Sequence, residues 1–174
     1  MDGLLVITGA SGVGKSSVSR AVAATLERSV HLRVDDFLAS VVGGRVDPWL
    51  PEAADQNDAV GRAAVAAAMQ FVGAGYIVVV DGTIFPNAID ELAPACGDQH
   101  VALHYVVLRC PFDLARERAA NRDGVEPQPE SAAILHQRFE DIGGYERHAI
   151  DASGPPEAVV AAVTDAFTSG ALEL

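Results

Sequence analysis

Gly9-Ala10-Ser11-Gly12-Val13-Gly14-Lys15-Ser16 decides how this chain is read. The stretch fits G-x-x-x-x-G-K-[ST], and its flanks are those the pattern requires. Before it, Leu4-Leu5-Val6-Ile7 is a wholly apolar run, as expected of a buried parallel strand. After it, from Ser16 to Arg28, Val18, Val22 and Leu26 recur at helical spacing. A strand, a glycine-rich turn and a helix together form a phosphate cradle, with backbone N–H groups turned inward and the positive end of the helix behind them. Gly9, Ala10, Ser11, Gly12, Val13, Gly14, Lys15, Ser16 and Ser17 are therefore the expected ligands of a nucleotide's phosphates. Lys15 is expected to reach the β- and γ-phosphates, and the Ser16 hydroxyl to meet Mg²⁺. Lys15 is also the only lysine; the other eleven basic residues are arginine. A compact ammonium on a flexible stem fits where a planar guanidinium would crowd the loop.

Composition narrows the partners. A net charge of −12 argues against a nucleic-acid backbone, whose phosphates need a basic surface. With 49% apolar residues and 174 positions, one packed domain spanning 1–174 is expected. Cys96 and Cys110 are too few and too far apart for a disulfide framework, and they read as reduced thiols of a cytoplasmic protein. The five histidines show no metal spacing. Ala63 to Val80 is apolar but interrupted by Gly73-Ala74-Gly75, so it reads as a helix followed by a strand and not as a membrane span. The N-terminus lacks the character of a signal peptide.

Further along, His31 to Val34 reads as a second strand running into Asp35 and Asp36. Carboxylates at the C-terminal end of a parallel strand lie on the edge where α/β sheets bind ligands, although an acid there can also cap a helix. Residues 38–58 have no clear period, and they are expected to be a substrate-binding insert. Trp49 within it is either a substrate contact or a core plug. Gln56 to Val72 reads as a helix and Tyr76 to Val80 as a third strand, with Asp81 at its end as a second Mg²⁺ ligand. Thr83 follows in a loop over the same edge, as a candidate substrate contact. Ala88 to Pro94 reads as a helix, Val101 to Leu108 as a strand and Phe112 to Asn121 as a helix. Arg116, Arg118 and Arg122 cluster there, which in an acidic protein suggests phosphate contacts. A helix from about 127 to 141, a short strand at 149–151 and a last helix from Pro155 to Phe167 complete the pattern. Alternating strands and helices predict an α/β fold: a parallel five-stranded sheet with helices on both faces.

With these landmarks the chain resembles the P-loop small-molecule kinases, the group of gluconate kinase, shikimate kinase and chloramphenicol phosphotransferase. Gly9 to Ser16 carries the likeness most specifically. Val34-Asp35-Asp36 is similar to the acidic turn of chloramphenicol phosphotransferase, and Arg116 to Arg122 resembles the arginine-bearing lid, expected over about 116–130. Ile134 to Glu140 is similar to the helix after the lid in gluconate kinase. Asp151 to Gly154 resembles the family ending, where the backbone lies near adenine. The resemblance implies a P-loop NTPase-type fold, ATP and Mg²⁺, and phosphoryl transfer to a hydroxyl of a small molecule. It implies that Asp35 is the base, with Asp36 as the alternative or an acceptor contact. It further implies that Lys15, Arg118 and Arg122 act on the transferring group and that Arg116 binds nucleotide. Residues 38–58 match no substrate element of the group, so the acceptor does not transfer. A kinase of a nucleotide sugar, like the zeta toxins, and a nucleotide-binding protein without chemistry are the alternatives. A GTPase switch is disfavoured, since its guanine motif needs a second lysine.

Overall fold

A computed structural model describes residues 3–121 and 129–174. Five parallel strands lie in the order β2-β3-β1-β4-β5. They are β1 (Gly3–Gly9), β2 (Ser29–Arg33), β3 (Ile77–Asp81), β4 (Ala102–Arg109) and β5 (Ala149–Asp151). Every residue of β1 is buried, and so are the last four of β3. Successive strand residues point to opposite faces, so both faces of the sheet are covered, as the parallel topology demands. The helices that cover them are α1 (Lys15–Thr25), α2 (Val34–Ala39), α3 (Ala54–Gly73), α4 (Pro86–Asp98), α5 (Phe112–Ala120), α6 (Pro129–Arg138) and α7 (Pro156–Thr168). The buried apolar residues form one continuous core, from Leu4 and Ile7 of β1 to Val163 and Phe167 of α7. Among the described residues no helix is long and apolar enough to cross a membrane.

Four expectations change. The acidic turn is not the end of β2. The strand stops at Arg33, and Val34, Asp35 and Asp36 form the first turn of α2. Two acids there complement the positive end of the helix, a gain that the apolar-run reading of Val34 overlooked. Second, β2 lies one strand further from the phosphate loop than its sequence position suggests, because β3 sits between β2 and β1. Third, the irregular segment is shorter than 38–58: α2 runs to Ala39, Pro51–Ala53 form a 3₁₀ turn, and α3 begins at Ala54. Helix α4 also continues through Pro94 to Asp98. Burial of Ile89 and Cys96 on its core side anchors both halves across the hydrogen bond that the proline cannot make.

The register aligns the working edge. Arg33 pairs with Asp81, and Asp81 with Ile7, which in turn faces Val106. Asp35 lies two residues past this row and Ala10 three. They are separated across the sheet by about two strand spacings, or ~10 Å. Helix α3 is 20 residues long, about 30 Å, against roughly 17 Å for the five residues of β3. Helix α3 packs on β2 and β3 and against α2.

Candidate active site

The phosphate loop joins β1 to α1. Gly14 is the residue before α1, at φ 99°, and no side chain caps the helix start. The first N–H groups of α1 therefore remain for an anion. Lys15 Nζ donates to the Ala10 carbonyl at 2.9 Å and so spans the loop it serves. Gly12, at φ +83°, lies so close to α5 that a Cβ there would sit 2.0 Å from the Ala115 carbonyl oxygen. The loop is thus seated directly on the helix that carries Arg116 and Arg118.

On the other side, the loop after β3 is pinned to the edge. The Ile84 N–H donates to Thr8 Oγ1 at 2.8 Å, and Tyr105 Oη donates to the Ile84 carbonyl at 3.0 Å. Both side chains come from fully buried positions, on β1 and β4 respectively. Burial pushes the Tyr105 phenol well above its ordinary value, with nearby Tyr145 adding to the effect, so it stays a donor. Thr83 is left exposed at the same edge. Gly82 approaches α2 so closely that a Cβ there would lie 2.8 Å from Val34 Cβ. This contact joins the first turn of α2 to the end of β3.

The two acids of that turn differ. Asp36 is ion-paired with Arg33 at 3.2 Å, whereas Asp35 is exposed and has no ion pair among the described residues. Consecutive helical positions diverge by about 100°. Asp81, 1% exposed, receives His31 Nε2 on its Oδ2 at 2.8 Å. Trp49 is 43% exposed, so it is no core plug. Its loop is held by Gln56, which bonds both the N–H and the carbonyl of Val46, and by Asn57 Nδ2 on the Pro48 carbonyl.

The arginines separate. Arg118 Nη1 donates to the Ala152 carbonyl at 2.8 Å, and Nη2 reaches Ser153 and Gly154 at 3.4 and 3.5 Å. It clamps the β5–α7 turn. Arg116 is exposed and pairs with Asp113 at 3.3 Å. Arg122 and residues 123–128 of the expected lid lie outside the described residues. Beside the loop, a cavity of about 310 Å³ opens between Ala10 and Val13, the Arg109–Pro111 end of β4, and His136 and Phe139. Phe139 stacks on Phe85 with ring centroids 4.7 Å apart, and the Arg138 guanidinium lies 3.5 Å over the same ring. These contacts tie α6 to the loop after β3. Burial raises the Cys110 thiol, Arg118 opposing it, so the thiol at this cavity is protonated at neutral pH.

The residues fit the groups that the sequence implies. An uncapped helix start behind a lysine suits a nucleotide's phosphates. The Ser16 hydroxyl and the Asp81 carboxylate are hard oxygen donors of the kind Mg²⁺ takes. Among the described residues no group of three His, Cys, Asp or Glu side chains could hold an ion by itself. A cation here would depend on phosphate oxygens for the remainder of its shell. His31, Thr8 and Tyr105 were not singled out from the sequence. Thr8 and Tyr105 are polar side chains within buried, mainly apolar strands, whereas His31 stands in the mixed strand Ser29–Arg33 and carries no such signal.

A family model described as an AAA domain matches residues 4–140. The chain belongs to this AAA-domain family. A comparison with curated proteins finds no match. Among solved structures, the chain is similar to a gluconokinase from Sinorhizobium meliloti 1021, at 21% identity over 98% of this chain and 94% of that one, with a TM-score of 0.66. It is similar to the tunicamycin resistance protein of Deinococcus radiodurans, at 19% identity over 98% and 96%, with a TM-score of 0.70. The shikimate kinase of Aquifex aeolicus matches at 17% identity over 97% and 98%, with a TM-score of 0.60. The fold of this AAA-domain protein is thus that of the P-loop small-molecule kinases.

Proposed function

We propose that the protein is a kinase that transfers the γ-phosphoryl group of ATP to a hydroxyl of a small molecule. The observation that supports this most directly is the seating of Asp35, a carboxylate with no ion pair among the described residues, against the end of β3 through the Val34–Gly82 contact. It stands on the same edge as the phosphate loop, about 10 Å to one side, which leaves room for an acceptor between them.

In this reading Asp35 accepts the proton of the acceptor hydroxyl as its oxygen bonds to the γ-phosphorus. The bond from that phosphorus to the β–γ bridging oxygen breaks, and ADP leaves with the electron pair. Asp36, already committed to Arg33, orients the turn or meets the acceptor. Lys15 and the loop N–H groups carry the phosphate charge. A magnesium ion bound with the nucleotide would be held by Ser16 and Asp81 and would neutralise phosphate charge there. Arg118 holds the 152–154 turn, which would border the adenine on the β4–β5 side. Arg122 would neutralise charge on the transferring group. Arg116 can exchange its exposed pair with Asp113 for a phosphate at little loss, since such pairs contribute only about 0.3–0.5 kcal/mol. Trp49 and Thr83, both exposed, would touch the acceptor.

A thermal-shift screen of sugars, nucleosides and antibiotics with a non-hydrolysable ATP analogue tests the reading. A ligand at 100 times its dissociation constant adds about 2.7 kcal/mol. For a chain of this size that is a rise of roughly 5–11 °C. The analogue alone should raise the melting temperature of the wild type and not of Lys15→Ala. No shift in either would sink the nucleotide site.

A further inference from the structure

Among the described residues, His31 is the one side chain hydrogen-bonded to Asp81. It stands on β2 opposite Val79, while Arg33 stands opposite Asp81. Side chains two apart on a strand share a face, so His31 reaches Asp81 diagonally across the β2–β3 pair. Nε2 lies 2.8 Å from Oδ2, and the side chains are only 13% and 2% exposed. No other hydrogen bond to the Asp81 carboxylate occurs among the described residues, so Oδ1 has no protein partner among them.

A hydrogen-bonded polar pair at this depth is an inefficient way to hold two strands together, because desolvating the two groups offsets most of what the bond returns. Val79 and Val80 show what β3 uses where packing alone matters. The imidazole does something an apolar residue could not. It takes one carboxylate oxygen and thereby fixes the plane of the group, leaving the other oxygen in one orientation at the phosphate-loop edge. Partners outside the donor set commonly orient the ligands of metals in this way, and their loss typically weakens metal affinity 10–100-fold.

We infer that His31 is a positioning residue, which holds Asp81 so that Oδ1 can receive the divalent cation of the bound nucleotide. This rests on the kinase reading in assigning the cation to Asp81.

ADP binding measured by calorimetry, in EDTA and across a Mg²⁺ titration, tests it on wild type, His31→Ala and His31→Gln. Circular dichroism first establishes that each variant is folded, and His31→Asn, too short to reach Oδ2, replaces His31→Ala if alanine is not tolerated. Manganese EPR of the ADP complex reads the bound cation directly. His31→Ala should need 10–100-fold more Mg²⁺ or Mn²⁺ to reach the tight ADP complex, with ADP affinity in EDTA unchanged. His31→Gln, whose amide can donate from the same place as Nε2, should recover most of the loss. Wild-type cation affinity in His31→Ala would overturn the inference. So would an equal loss of ADP affinity with and without cation, or a failure of glutamine to rescue. A wild type that binds ADP with no cation dependence removes the role of Asp81, and this inference with it, while the phosphate loop stands. A wild type that binds no ADP in either condition overturns the kinase reading itself.

Discussion

Replacing Gly82 by alanine should slow phosphoryl transfer about a hundredfold while nucleotide binding survives. The new Cβ would lie 2.8 Å from both Cβ and Cγ2 of Val34, where carbon atoms ordinarily rest 3.5–4.0 Å apart. The shortfall of about 1 Å falls on the first turn of α2, because β3 is fixed inside the sheet and the Ile84 backbone is pinned from both sides. Asp35 is the next residue, so the base moves with the turn. A displacement of that size at a reacting group is worth about 10²-fold in rate. Overpacking of this kind also destabilises by about 1–3 kcal/mol, a fall in melting temperature of roughly 2–12 °C at this chain length. Steady-state kinetics with the acceptor, alongside calorimetry for ADP, give both readings. Pairing Gly82→Ala with Val34→Gly removes the clash from the other side and should restore much of the rate. Wild-type turnover in Gly82→Ala would refute the idea that the α2 turn belongs to the site. An equal loss of ADP binding and rate would point to general disruption.

Other consequences follow from the same geometry. Arg118→Ala should weaken ATP binding more than it lowers kcat, since its guanidinium holds the 152–154 turn; a fall in kcat at unchanged affinity, measured by calorimetry and initial rates, would return it to the lid. Asp36→Asn should keep more activity than Asp35→Asn, because Asp36 is engaged with Arg33; the reverse order in side-by-side rates would exchange their roles. The Arg109 guanidinium and then the Ile142 N–H draw Glu146 down to about 2, below the ordinary range for a glutamate. A depressed carboxylate stabilises the fold fully above its unfolded value, and the contribution is lost as pH falls through the folded one. Chemical denaturation between pH 5 and about 2 should therefore show a loss of stability that Glu146→Gln lacks.

The sequence was most informative where one local pattern sufficed. The phosphate loop needs only a strand, a turn and a helix in succession, and β5 and α7 follow from short apolar periods. It was least informative where the answer depends on what lies alongside. Nothing local reveals that β3 separates β2 from β1, so the pairing of Asp81 with His31, 50 residues away, was invisible. Val34 read as a strand residue because it is β-branched and apolar, yet the two following acids and Phe37-Leu38 begin a helix there. Trp49 could be plug or contact until its loop was seen bonded to Gln56 and Asn57 with the indole outside. Arg118 fell within an apparent phosphate cluster by spacing alone; its partners are carbonyls 34 to 36 residues further along.

Transfer of labelled γ-phosphate from ATP to an acceptor found in the thermal screen tests the central claim most directly, with wild type and Asp35→Asn run together. The account predicts a labelled acceptor and stoichiometric ADP from the wild type. Asp35→Asn should bind ATP with similar affinity but transfer roughly 10²–10⁴-fold more slowly, the usual contribution of a general base. An acceptor that binds and is never labelled, or an Asp35→Asn variant that transfers at the full rate, would contradict it.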